Sequence, residues 1–176
     1  MPRTLRSLLA LLLLALPAAA QRTRSVVVIP GQLTRVVTDT VGTPYPVPFP
    51  PAQAYRALQE VYAELKLPTV SRDSAQRLVD SEVFYRQGTL GGRQISTYLS
   101  CGEGMTGPNA DSYRVYMVIW STIVPVEGER AALRTAFLAG AVNVTEGSRQ
   151  PMPCESTGRL EVRIHQMLLH RLALIH

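Results

Sequence analysis

The chain has 176 residues, of which 46% are hydrophobic and 18% charged, with a formal net charge of +5 and two cysteines. That balance is globular and excludes a disordered chain, a collagen or coiled-coil repeat and a multi-pass membrane protein. Once a removable leader is set aside, the length suits one domain with a real hydrophobic core.

Residues 1–20 read as a secretory signal peptide. Arg3 and Arg6 make the positive start, 8–16 the apolar run, and Ala18-Ala19-Ala20 the small-residue cleavage site. Pro17 ends the apolar run well short of the ~20 residues a membrane span needs. No cysteine near the cleavage site offers a lipid anchor. The mature chain is therefore expected to be soluble and exported, periplasmic or secreted, with no transmembrane segment. Without Arg3 and Arg6 the formal charge falls from +5 to +3. The remaining basic residues, all arginine except Lys66, are scattered along the sequence, so a nucleic-acid partner is not expected.

Residues 25–29 and 33–41 are β-branched runs separated by Pro30-Gly31, which predicts a hairpin or one interrupted edge strand. Prolines at 44, 46, 48, 50 and 51 predict an extended, polyproline-like connector without ladder donors. The predicted organisation is thus a leader over 1–20, a strand segment and Pro-rich connector over 21–51, and a single α+β domain over 52–176.

The spacing of Tyr55, Leu58, Val61, Tyr62 and Leu65 predicts a helix over 52–67, ended by Pro68. Strands are expected over 69–72 and 76–87. In the second, Val79, Ser81, Val83 and Tyr85 alternate with Asp80, Glu82 and Phe84, predicting one buried side. Gly88, Gly91 and Gly92 mark a turn before a strand over 94–100, and 101–111 reads as a flexible, glycine-rich loop. Residues 113–124 are apolar on both faces, which places that strand centrally in the sheet. After a turn at Glu127-Gly128, residues 131–144 carry both helical and strand signals. Gly140 and the β-branched Thr135, Val142 and Val144 favour a returning strand. The last element, 157–173, is a helix with Ser156 as its cap and Leu160, Ile164, Met167, Leu168, Leu172 and Ile175 as its apolar stripe.

This order predicts an α+β fold, an antiparallel sheet with two helices packed on one face, in the arrangement β-α-β(n)-α. Together with Leu99-Ser100-Cys101-Gly102, Cys154-Glu155-Ser156-Thr157-Gly158 and Leu160-Glu161, the pattern resembles small exported bacterial domains of unknown function. The element order over residues 45–175 is similar to helix-grip domains such as those in the C component of the outer-membrane β-barrel assembly machinery. The resemblance implies an envelope module. That component is a lipoprotein, whereas this chain has no lipobox cysteine.

Cys101 and Cys154, an even pair in an exported chain, are expected to form a disulfide, because no Cys-x-x-Cys or zinc spacing competes. Glu161 and His165 are four apart on the last helix and are weak candidates for a metal or acid–base pair. They lack a third ligand and a His-Glu-x-x-His motif, so no metal or cofactor is expected. The glycines after Cys101 lack the Lys-Ser/Thr ending of a phosphate loop, and no serine sits in a Gly-x-Ser-x-Gly elbow. Asn143-Val144-Thr145 matches a glycosylation acceptor, which is expected to be a chance match in the bacterial host that the resemblance implies. The expected function is a non-enzymatic module binding an envelope protein through the sheet's open face or the Pro-rich arm, with an exposed tyrosine, Phe49 or Trp120 as contacts. The alternative is a carrier of an apolar small molecule or lipid between helices and sheet. Met117, Trp120, Phe137 and Met167 are the candidate pocket or contact residues.

Overall fold

The structure, a computed structural model, describes residues 42–69, 71–145 and 151–175, with the backbone of 26–27 and 36–37. The leader expected over 1–20, and most of the two runs at 25–29 and 33–41, lie outside the described residues. In chain order the elements begin with β1 (Val26–Val27) and β2 (Val36–Val37), which pair antiparallel, then β3 (Pro44–Val47) and helix α1 (Pro51–Glu64). Short strands follow: β4 (Ser71–Asp73), β5 (Leu78–Asp80), β6 (Phe84–Arg86), β7 (Thr89–Leu90), β8 (Arg93–Gln94) and β9 (Leu99–Ser100). A small hairpin of β10 (Glu103–Gly104) and β11 (Gly107–Pro108) leads into the single turn α2 (Asn109–Ser112). The chain ends with β12 (Arg114–Val126), β13 (Arg130–Val142), β14 (Met152–Ser156) and helix α3 (Arg159–Ala173).

β12 and β13 pair antiparallel over their whole length, from Arg114 opposite Val142 to Val126 opposite Arg130. The ambiguous segment after residue 130 is therefore a strand. β5 and β6 lie on the free edge of β12, while β3 and β14 lie on the free edge of β13. β4 extends the sheet beyond β5, and β9 extends it beyond β14. This is an α+β fold, with α1 and α3 packed against each other and against the same face of the sheet.

The covered face is filled. Val115, Met117, Ile119 and Ile123 of β12 and Leu133, Phe137, Ala139 and Ala141 of β13 meet Leu58, Val61 and Tyr62 of α1 and Leu160, Ile164, Leu168 and Leu172 of α3, all at most 5% exposed. The α3 residues recur every four positions, as one stripe of a helix must. Ile175, expected on that stripe, lies past the helix end and is 61% exposed. One polar chain crosses this interface. Tyr62 donates to Ser121 Oγ at 2.8 Å, and Ser121 and Thr135, opposite each other across the central strands, share a hydrogen bond of 2.7 Å.

Three short segments differ from the sequence reading, each for a local reason. The strand expected over 76–87 is interrupted. Asp80 lies opposite Trp120, but Phe84 lies opposite Met117, so one extra residue is accommodated on the outer strand as a β-bulge. Ser81 holds the break: its N–H donates to the Ile119 carbonyl at 2.9 Å, and its hydroxyl accepts from the Ile119 N–H at 2.9 Å. Beyond the slip the faces exchange. Phe84 packs against the core, while Val83 and Tyr85, expected on the buried side with Val79, are 43% and 55% exposed.

The strand expected over 94–100 is broken by a 3₁₀ turn at Ile95–Thr97, gripped by Asp111, which accepts from the Ser96 N–H and hydroxyl. The turn brings Ile95 and Tyr98, three apart, into the core together. The Pro-rich segment is extended as expected, yet four of its residues pair with β13. Prolines at alternate positions present their missing donors to one edge, leaving Tyr45 and Val47 for the other. The outward carbonyl of Pro46 meets His165 Nε2 of α3 at 2.8 Å, which covers that edge.

Burial pushes the Tyr62 phenol well above the ordinary value of 10.0; its hydrogen bond to Ser121 opposes this and the charge of Asp80 adds to it. A raised folded-state pKa means that stability is intact below pH 10 and falls above it, as the unfolded phenol ionises first, by about 1.4 kcal/mol per pH unit. Tyr62→Phe should therefore remove this component of alkaline destabilisation in denaturant titrations at pH 9 to 12. At neutral pH it should cost only about 1 kcal/mol, because Ser121 and Thr135 keep each other. Equal alkaline slopes in the two proteins would contradict the burial of this hydroxyl.

Candidate functional site

The start of α3 is built by a crosslink and six hydrogen bonds. Cys101, just after β9, is disulfide-bonded to Cys154 of β14, and the two strands pair through Ser100 with Glu155 and Leu99 with Ser156. The glycine-rich stretch expected as a flexible loop is held by Asn109, whose N–H donates to the Gly102 carbonyl at 3.0 Å and whose side-chain amide donates to the Cys101 carbonyl at 3.2 Å. Thr157 fixes the next step: its N–H donates to the Tyr98 carbonyl and its hydroxyl to the Thr97 carbonyl, both at 2.9 Å. Ser156, expected as the helix cap, stands too early. Gly158, at φ +76°, occupies the cap position, and no side chain caps the helix. The Ser156 hydroxyl instead accepts from the Gly158 N–H at 3.1 Å and donates to Glu161 Oε1 at 2.7 Å.

Along this helix start runs an open groove of about 760 Å³. Its walls come from β3, the β7–β8 hairpin, the 3₁₀ turn and the first two turns of α3, and they carry Arg93, Arg159 and Arg163 but no carboxylate. Arginines scattered in the sequence thus converge in the fold. Arg163 is held in place, donating to the Tyr98 hydroxyl with its guanidinium carbon 6.0 Å from the center of the same ring. On the other wall Tyr45 stacks on His165, with centroids 5.1 Å apart.

A second feature lies on the face of the sheet away from the helices. Tyr85 and Tyr116 are opposite each other on β6 and β12, with ring centroids 5.9 Å apart and tilted at 52°. The Arg114 guanidinium lies 5.0 Å from the Tyr85 ring center, and its Nε makes no hydrogen bond. Beside them Val118, Trp120 and Ala136 form a small buried cluster, with Leu78, Tyr116 and Leu138 packed against it.

The structure separates the residues singled out from sequence. Met117 and Phe137 belong to the filled core under the helices, Trp120 is only 6% exposed in the cluster on the opposite face, and Met167 is half-buried at the groove. Phe49 packs against the main core. Glu161 and His165 share α3, but Glu161 is engaged by Ser156 and His165 by Pro46 and Tyr45. Among the described residues no group of three His, Cys, Asp or Glu side chains is placed to hold a metal, and no helix is long and apolar enough to cross a membrane. Sequence reasoning missed the groove because Arg93 comes from a hairpin far from α3. The four-residue spacing of Arg159 and Arg163 was the available signal. It missed the tyrosine pair because the slip at Ser81 reverses the faces. Comparison with protein-family models and with curated proteins finds no match.

The disulfide closes a span of 53 residues, worth about 4 kcal/mol of unfolded-state entropy. Replacing both cysteines by serine should lower unfolding free energy by about that amount, as read by urea denaturation. It should also raise hydrogen exchange first in β9, β14 and the start of α3. A loss confined to elements remote from these would contradict the role given to the crosslink.

Proposed function

We propose that the protein is a non-enzymatic, exported interaction module of the cell envelope, which binds a protein partner through the outer face of its sheet. The observation that carries this reading is the Tyr85–Tyr116–Arg114 patch. Tyrosine and arginine are, with tryptophan, the side chains most enriched at the energetic centers of protein interfaces, and here they stand together on the sheet, with Tyr85 55% exposed. The filled interface between helices and sheet supports this reading over a carrier that would store an apolar molecule there. Export is supported by the disulfide, which belongs to an oxidising compartment. The β-α-β(n)-α order supports kinship of topology with helix-grip envelope domains, and fold likeness alone does not assign their role.

The test is site-specific photo-crosslinking in the exporting cell, with benzoylphenylalanine in place of Tyr85 or, as a control, of exposed Arg56 on α1. Position 85 should give one discrete protein adduct that position 56 does not. Tyr116→Ala should weaken the captured complex by about 2 kcal/mol. The same adducts from both positions, or none from position 85, would overturn the proposal.

A further inference from the structure

The groove at the start of α3 has a chemistry of its own. We infer that it is a docking site for an extended acidic peptide segment, separate from the outer-face patch and independent of it. Charge is the first argument. Arg93, Arg159 and Arg163 line one concavity without a carboxylate, and none of them has an ion-pair partner among the described residues. Arg171, by contrast, is paired with Glu60 and Glu64. Glu161, the acidic residue in the first turn of α3, is held by Ser156 and does not line the groove.

Preorganisation is the second argument. Arg163 is fixed by the Tyr98 hydroxyl and ring, and it lies against Gly91, where a Cβ would come within 3.2 Å of its Nη1 at a backbone φ of +56°. A guanidinium already held in one place loses less freedom when it engages a carboxylate.

Shape and lining select the occupant. The groove interleaves the polar Thr97, Thr157 and Gln166 with the apolar Tyr45, Val162 and Met167. A peptide, with its polar backbone and mixed side chains, matches that alternation, whereas an acyl chain calls for a continuous apolar channel. Its 760 Å³ is far larger than one phosphate needs.

The experiment is calorimetric titration of the disulfide-bonded protein with a blocked hexapeptide alternating glutamate and valine. Its glutamine–valine counterpart, inorganic phosphate and phosphatidylglycerol vesicles serve as the other probes. The acidic peptide should bind and weaken with added salt, and the neutral peptide should not bind. Arg93→Gln with Arg159→Gln, both exposed, should weaken binding about tenfold or more, while Arg56→Gln should leave it unchanged. Tyr85→Ala should also leave it unchanged, so that failure here is read separately from failure of the outer-face proposal. Equal binding of the neutral peptide, no binding of the acidic one, or indifference to the arginine pair would overturn the inference. Displacement of the peptide by millimolar phosphate would assign the site to a small anion, and by the vesicles to a membrane, and either would equally overturn it.

Discussion

The ladder between Arg114–Val126 and Arg130–Val142 is the constraint from which the rest of the structure hangs. A strand used on both edges and apolar on both faces is stable only when each edge finds a partner and each face is covered. β5 and β6 satisfy one outer edge of the pair, and β3 and β14 satisfy the other. The two long helices cover one face, and the hydroxyl chain Tyr62–Ser121–Thr135 fixes where α1 lies across it. That chain is a specific anchor in an otherwise apolar interface, because a buried hydroxyl that loses its partner costs more than the bond itself contributes.

The two surfaces to which function is attached both arise from how short elements dock on this ladder. On the β12 edge, one extra residue between Asp80 and Phe84 turns Tyr85 outward to meet Tyr116, and the Ser81 hydroxyl satisfies the Ile119 N–H that the break exposes. On the β13 edge, β14 is crosslinked to the end of β9 and delivers α3 beside the 3₁₀ turn, which brings Arg159 and Arg163 into one groove with Arg93. One device is a register slip and the other a covalent tie. Each places polar or aromatic side chains where the fold itself does not need them.

Much of this was legible in the sequence wherever a single periodicity ruled a long segment. The stripe Tyr55, Leu58, Val61, Tyr62 and Leu65 located α1, the doubly apolar run after Tyr113 located the central strand, and the even pair of cysteines located the crosslink. Illegible were the features set by a partner. In the residues from Val79 to Tyr85 only Phe84, an apolar side chain on the side of Asp80 and Glu82, departs from the alternation, and the slip itself is fixed by the hydrogen bonds of Ile119. The prolines at 44 and 46 suppress strand signals, and only their alternation with Tyr45 and Val47 permits the pairing seen. The groove joins a hairpin and a helix more than sixty residues apart, so its charge cannot be read from any one window.

The slip at Ser81 is the point on which the arrangement of the open face turns, and aromatic NOE spectroscopy tests it directly. The account predicts cross-peaks between the rings of Tyr85 and Tyr116, and between Phe84 and Met117 under the helices. Cross-peaks from Tyr85 to Val115, with Phe84 against Tyr116, would mean an unbroken strand with Tyr85 facing the helices, and would contradict it.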